Sequence, residues 1–439
     1  MFVKAMMDVI SQVDPQVAKI VQAEDERQRK TICLIPSENY CSAAVSYALA
    51  ASLGNKYAEG YPHVWKDGSK QHSNGRYYQG QKNTNAIEAL AIERALKLFT
   101  PDPSAYHANV QPLSGSPANL AVLSAFLKPG EPFLGMSLDD GGHLTHGHKV
   151  SVTGQYYQAI QYGLNEKGII DYDQIEKLAQ KHKPKVIFSG ATAYPLQIDF
   201  EKIGKIAKSV NAIFVADISH ICGLCVAGEH PHPFPHADVI TTTTHKILRG
   251  PRGGVMICKK EHGQIIDKAV FPGLQGGPHM NTIAAMAIAF KNAMEDSYQQ
   301  YAKQVIKNAT VLAGELKKAG FRLVCGGTEN HLILVDVVNS RDDLKAKDGA
   351  WLAARLEQAG LIVNKNAISG DPKPWIPSGI RLGTPAVTTL GMKEKEMKKI
   401  ANWIVKGTKN ANDDHTLSQI QKEVEEFMMD FQPEKVLSY

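Results

Sequence analysis

A lysine that closes a buried strand and opens a glycine-rich turn is placed to act as a nucleophile, and residues 241–254, TTTTHKILRGPRGG, put Lys246 there. Its amine can form a Schiff base with an aldehyde, whereas most lysines are solvated loop residues. The segment FVADISH ends the preceding apolar run at Asp217, which a parallel sheet sets close to Lys246. A carboxylate in that place keeps a pyridine nitrogen protonated, and a protonated ring is an electron sink for a carbanion. A third element is SGSPANLAVLSAF, where Ser114, Gly115 and Ser116 lead into a helix expected to begin at Pro117. Free backbone N–H groups and the helix dipole favour an anion there, and small side chains let it come close. Taken alone, the same residues would make an ordinary helix cap. An amine, a ring-nitrogen carboxylate and an anion cradle together suit pyridoxal 5'-phosphate (PLP).

These groups need a scaffold that brings strand ends together. Helical DYDQIEKLAQKH, apolar KVIFSG, helical EKIGKIAKSV and apolar AIFVADI alternate, followed by DVITTTTHK and GGVMICKK. That alternation predicts an α/β fold, with a mainly parallel sheet between helices and ligands beyond the carboxyl ends of its strands. Asp14-Pro15 reads as a helix N-cap followed by proline at the first helical position, within an N-terminal helical arm over residues 1–30. A large domain is expected over 31–300. A helical pattern from about Thr282 to Ala319 leads into a smaller α+β domain over 301–439, with the strand HLILVDV, the helix WLAARLEQA and the extended piece LIVNKN.

Composition removes several function classes. Of 439 residues, 43% are hydrophobic and 21% charged, as in a soluble globular protein. The net charge of +5 forms no block, which gives nucleic acid little purchase. No apolar run reaches the length of a membrane span. Lys4 and Asp8 interrupt the N-terminal apolar residues, so a cytoplasmic location is expected. Six scattered cysteines suit a reducing compartment. Cys222-Gly-Leu-Cys225 is a formal CxxC, but without a second CxxC or nearby histidines at metal spacing it reads as two small buried residues in a tight turn, and no metal site is expected.

Six segments carry a resemblance to a known family: YAEGYP (57–62), LDDGGHLTHG (138–147), FVADISHICGL (214–224), TTTTHKILRGPRGG (241–254), FPGLQGGP (271–278) and SGIRLGTPAVTT (378–389). In this order they resemble the signature segments of serine hydroxymethyltransferase, a family of PLP-dependent enzymes of fold type I. The resemblance implies a large domain with a seven-stranded-type sheet. It also implies reversible transfer of the hydroxymethyl carbon of L-serine to tetrahydrofolate, in a homodimer or dimer of dimers with shared sites. By position it makes Lys246 the cofactor lysine, Asp217 the ring-nitrogen partner, His143 the histidine stacked on the ring, and His220 the one near its phenolic side. Ser114, Gly115 and Ser116 become the phosphate cradle, Thr192 the hydroxyl near the cofactor oxygen, and Gly276 and Gly277 a loop reaching the neighbouring subunit's phosphate. Without those motifs each histidine would read as a satisfied interior residue.

On the substrate side the resemblance assigns Arg381 to the amino-acid carboxylate, which a planar guanidinium grips with two parallel bonds. It assigns Glu59 to the serine hydroxyl proton, and Ser37, Tyr57, Tyr78 and Arg252 to the same pocket. Leu138, Gly142, His143, Leu144, Asn366, Lys373, Pro374 and Trp375 occupy the folate positions. A folate-independent aldolase acting on threonine or another β-hydroxy amino acid would use the same machinery, and an idle relative is disfavoured by intact Lys246, Asp217, Glu59 and Arg381. The chain departs from the family at Leu113 and Asp140 (histidine expected), Pro117 (glutamine), Pro36 (alanine) and an insertion, HVWKDGSKQHSNG, over 63–75, which reads as a tolerated surface excursion, or one from which Trp65 and Lys66 reach toward a polyglutamate tail or narrow the entrance.

Overall fold

The computed structural model describes residues 2–63, 75–371 and 376–433. Trp65, Lys66, Lys373, Pro374 and Trp375 lie outside the described residues. Thirteen strands are formed among those described: β1 (Ile32–Cys33), β2 (Tyr106–Asn109), β3 (Pro132–Met136), β4 (Gln158–Tyr162), β5 (Val186–Ser189), β6 (Ile213–Asp217) and β7 (Val239–Thr243). They continue with β8 (Gly254–Lys259), β9 (Arg322–Leu323), β10 (Leu332–Asp336), β11 (Leu361–Ile362), β12 (Asn364–Asn366) and β13 (Gly379–Gly383).

Near-continuous apolar strands bury both faces, because side chains alternate across a sheet that helices cover on either side. Phe133, Val186, Phe188, Val215 and Val239 pack on one face. Leu134, Ile187, Phe214, Ala216 and Ile240 pack on the other. The resulting seven-stranded sheet has the order β2-β8-β7-β6-β5-β3-β4. Only β8 runs against its neighbours, pairing antiparallel with β2 and β7. The chain is thus α/β with a mainly parallel sheet, and the carboxyl ends of β5, β6 and β7 fall along one edge.

A second, antiparallel sheet in the order β12-β13-β10-β9 carries the C-terminal core. The two cores do not separate cleanly in chain order. Ile32 and Leu34 belong to the second core, where β1 pairs in parallel with β11. The helix Asp296–Ala319 places Tyr298, Tyr301 and Val305 in the first core and Leu312, Ala313 and Leu316 in the second. The continuous helical pattern expected from Thr282 to Ala319 is two helices, Met280–Ala293 and Asp296–Ala319. At the N-terminus Asp14 caps the helix Pro15–Lys30, accepting from the N–H groups of Gln16 and Val17. No helix among the described residues is long and apolar enough to cross a membrane.

One buried ion pair fastens the segment around Glu59 to the sheet. Arg76 is almost wholly buried, and its Nη2 lies 2.6 Å from Glu88 Oε2 on the helix Lys82–Phe99. Its Nη1 donates to the carbonyls of Ala58 and Gly60. Gln111 joins the network by donating to Glu88 Oε1 and the Gly60 carbonyl. Removing one partner strands a buried charge, so Arg76→Ala should lower the unfolding free energy by about 3–5 kcal/mol in denaturant titration. A loss below about 1 kcal/mol would contradict this account.

Candidate active site

At the carboxyl ends of β5, β6 and β7 a cavity of about 460 Å³ opens between the two cores. It is lined by Ala191 and Thr192 after β5, Asp217, Ser219 and His220 at the end of β6, and Thr243, His245 and Lys246 at the end of β7. Ser114, Gly115 and Ser116 enter from the start of the helix Gly115–Phe126, and His143 and His146 from the loop after β3. Ser37, Glu38 and Arg252 contribute, and the second sheet supplies Asn366 and Arg381. Register explains the central pair: Asp217 lies opposite Thr241 across β6–β7, so the chain reaches Lys246 just beyond the same edge.

Asp217 is held by three N–H donors. Asn119 Nδ2 donates to Oδ2 at 2.8 Å, the Ser219 backbone N–H to Oδ1 at 3.0 Å, and His146 Nε2 lies 3.2 Å from Oδ2. The His143 backbone N–H donates to His146 Nδ1, so the His146 proton belongs on Nε2, facing the carboxylate. Burial alone would raise the Asp217 pKa, but the His146 bond, the nearby histidines and Ser219 hold it well below the usual carboxylate range. Asn119 is itself fixed, donating to Thr145 Oγ1 and accepting from Thr241 Oγ1.

The cationic side chains respond to burial differently. Burial lowers Lys246 to about 8, with Asp217 opposing. It lowers His143 to about 4 and His220 well below its ordinary value, so both rings are neutral at pH 7. Arg381 falls only to about 10 and stays charged. Its Nε donates to Asn364 Oδ1 and its Nη1 to the Thr192 carbonyl; among the described residues no carboxylate pairs with it.

Two observations fit this cavity to an anionic pyridine aldehyde. Among the described residues the buried Thr243 Oγ1 and His245 Nδ1 have no hydrogen-bond partner, an arrangement that calls for a ligand or water. Ser114 caps the helix Gly115–Phe126 without committing its side chain, and a Cβ at Gly115 would come within 2.8 Å of Thr243 Cγ2. The helix begins at Gly115, so Pro117 is its third residue and not its first. Proline still sits in the first turn, where its missing N–H removes one anion-facing donor and leaves those of Gly115 and Ser116.

A second group of expected site residues gathers elsewhere on the same chain. Tyr57 and Tyr78 are exposed, with ring centroids 5.2 Å apart, and Tyr78 Oη lies 3.4 Å from Glu59 Oε2. Gly276 sits against Glu59, where a Cβ would approach Oε1 to 3.2 Å, and Gly277 sits against the Tyr57 ring. None of the five lines the cavity. Leu138, Gly142 and Leu144 also lie outside its lining, although Thr192 Oγ1 donates to the Gly142 carbonyl. Asp140 accepts a 2.5 Å hydrogen bond from Ser369 Oγ, tying the loop after β3 to the second sheet's side of the molecule. Leu113 is partly exposed, and its N–H donates to Gln275. Cys222 and Cys225 are buried free thiols.

Comparison with known proteins decides the kinship. The serine hydroxymethyltransferase family model matches residues 10–404. The chain belongs to the serine hydroxymethyltransferase family. A serine hydroxymethyltransferase of Paracidovorax citrulli is 51% identical over 419 residues, covering 95% of this chain and 96% of that protein. Those of Desulfotalea psychrophila and Acidothermus cellulolyticus are 48% and 49% identical, covering 95% and 94% of this chain and 94% and 93% of their own lengths. The serine hydroxymethyltransferase family has the PLP fold type I, which agrees with the sheet order and the strand-end cavity.

The serine hydroxymethyltransferase motifs did not point to Asn119, His146, Ser219, Thr243 or His245 as lining or supporting residues. His146 and His245 lie inside quoted motifs, so a closer reading of GGHLTH and TTTTHK would have found them. Asn119, an asparagine inside an otherwise apolar helix, was the available signal for a buried polar network. Asn119→Ala should leave Asp217 short of a donor and cost about 1–3 kcal/mol of stability in denaturant unfolding. A change within about 0.5 kcal/mol would mean that Asn119 does not support the carboxylate.

Proposed function

We propose that the protein catalyses PLP-dependent, reversible transfer of the serine hydroxymethyl carbon to tetrahydrofolate, giving glycine and 5,10-methylenetetrahydrofolate. The observation that carries this reading is the convergence of Lys246, Asp217, the free helix start at Ser114–Ser116 and the unpaired Arg381 on one cavity. Lys246 would hold the cofactor covalently, Asp217 would face its ring nitrogen, and Ser114, Gly115 and Ser116 would take its phosphate. When bound, the cofactor supplies an electron-withdrawing ring that stabilises negative charge at the substrate Cα.

The remaining steps fall to the protein's own side chains. Arg381 grips the amino-acid carboxylate, for which its desolvated, uncompensated charge is suited, with Ser37 and Arg252 beside it. His143 and His220, neutral at pH 7, add no charge to the ring's surroundings, and Thr192 offers a hydroxyl near the cofactor oxygen. Glu59 takes and returns the proton of the serine hydroxyl. Because Tyr57, Glu59, Tyr78, Gly276 and Gly277 cluster away from their own chain's cavity, they act in the cavity of a second subunit, which makes a homodimer the smallest complete unit. Asn366 lines the cavity from the second sheet and, with Leu138, Gly142 and Leu144, forms the folate side.

Glycine formation from L-serine should require tetrahydrofolate, and Lys246→Ala should abolish both turnover and covalent cofactor retention. Serine cleavage at the same rate without folate would instead indicate a folate-independent aldolase. A second outcome concerns cofactor uptake, because only the neutral amine attacks an aldehyde. With Lys246 lowered to about 8 by burial, the neutral fraction in cofactor-free protein rises as pH passes upward through that value. The rate of PLP uptake, followed by absorbance, should therefore climb about tenfold per pH unit below 8 and level off above it. A flat profile from pH 6 to 9 would show that Lys246 does not limit uptake.

A further inference from the structure

Away from the cavity, three residues distant in sequence converge on one point. His63, which opens the insertion, lies with Nε2 2.8 Å from Asp267 Oδ2. His107 on β2 lies with Nε2 2.8 Å from Asp267 Oδ1. Asp267 belongs to the helix Gly263–Lys268. The two imidazole rings stand edge to face, with centroids 5.3 Å apart, and one ligand atom from each residue lies within 4.8 Å of the others. The Asp267 side chain is 2% exposed, that of His107 11% and that of His63 33%, so the point is closed on the protein side and reachable from solvent past His63.

The surroundings orient the carboxylate. Asn109 Nδ2 donates to Asp267 Oδ1 at 2.8 Å and to Tyr61 Oη at 3.0 Å, while the Tyr61 hydroxyl donates to the Asp267 backbone carbonyl. Two imidazole nitrogens and a carboxylate, braced by an asparagine, are ligands of the type that borderline divalent ions take.

We propose that His63, His107 and Asp267 bind one divalent transition-metal ion of the Zn²⁺ class. Metal bonds of about 2.0–2.2 Å at tetrahedral angles set neighbouring ligand atoms about 3.3 Å apart, so the two nitrogens, now 2.8 Å from different oxygens of Asp267 and within 4.8 Å of each other, must shift to share one ion. A neutral ring with its proton on Nε2 transfers it through solvent to Nδ1 as the metal enters, and an imidazolium releases its Nε2 proton, so each imidazole binds as its Nδ1–H tautomer. The ion ties the first residue of the insertion to β2 and to the helix Gly263–Lys268, and it sits two residues beyond Tyr61, whose hydroxyl already bridges the same carboxylate's residue and Asn109. Asp267 stands 160 positions from His107 and 204 from His63, so ligand spacing along the chain carried no metal signal.

The test uses the cofactor-loaded enzyme, treated with chelator, equilibrated with zinc chloride and freed of excess metal by gel filtration. Metal analysis should find about one zinc per chain in the wild type and in Cys222→Ser, and at least a tenfold lower content in His63→Gln and His107→Gln. His63 is the most exposed ligand, so His63→Gln guards against a folding defect, and its cofactor absorbance reports an intact holoenzyme. Zinc should also raise the melting temperature of the wild type but not that of His63→Gln. Full zinc content in both histidine variants, or a wild-type content far below one per chain, overturns the proposal.

Discussion

An ionised carboxylate buried at a strand end is the constraint around which the cavity is built. Taking a carboxylate out of water costs several kcal/mol, and only well-placed donors offset that cost. Asp217 receives Asn119 from the helix Gly115–Phe126, His146 from the loop after β3, and the N–H of Ser219 from its own turn. Each donor belongs to a different part of the cavity wall. The bonds that keep Asp217 charged therefore also fix the start of that helix relative to the end of β6. The separation between the Asp217 carboxylate and the helix start at Ser114–Ser116 is set by the same contacts.

Burial lowers His143, His220, Lys246 and Arg381 alike, yet the outcomes differ because the groups differ in partner and intrinsic basicity. His143 and His220 lose their charge, Lys246 is brought within reach of neutral pH, and Arg381 remains cationic. A guanidinium tolerates the same desolvation that neutralises an imidazole, since its starting pKa is so high. The cavity is left with one poised amine beside the guanidinium groups of Arg381 and Arg252. That combination suits covalent capture at one end and carboxylate recognition at the other.

Lys246, Asp217 and the Ser114–Ser116 turn could be read from the chain because each is announced locally, by an apolar strand that stops at a polar residue or by small residues before a helix. The parallel sheet was legible for the same reason, from alternating strand and helix periods. What escaped depends on contacts between distant segments. Asn119 and Thr241 meet across 122 positions, and periodicity cannot show which polar residue in an apolar helix faces a carboxylate. The start of that helix moved from Pro117 to Gly115 because glycine and serine continue into the first turn once their free N–H groups face the cavity. The pattern from Thr282 to Ala319 concealed a break near Glu295, since residues on both sides keep the same helical period.

The division between the cavity and the Tyr57–Glu59–Tyr78 cluster follows an electrostatic logic. Among the described residues Arg381 and Lys246 have no carboxylate in salt-bridge contact, whereas Glu59 has no cation in contact and shares only a long hydrogen bond with Tyr78. Aromatic rings left exposed beside an uncompensated carboxylate mark a surface suited to a partner. In the proposed dimer, the unpaired carboxylate of one chain meets the unpaired cations of the other, and each cavity gains a proton carrier that its own fold cannot deliver. Arg76 and Glu88 matter here, because their buried pair anchors the backbone of Ala58 and Gly60 on either side of Glu59. A side chain can serve a neighbouring subunit only if its backbone is held rigidly, and the most deeply buried ion pair in the described residues holds the backbone on either side of Glu59.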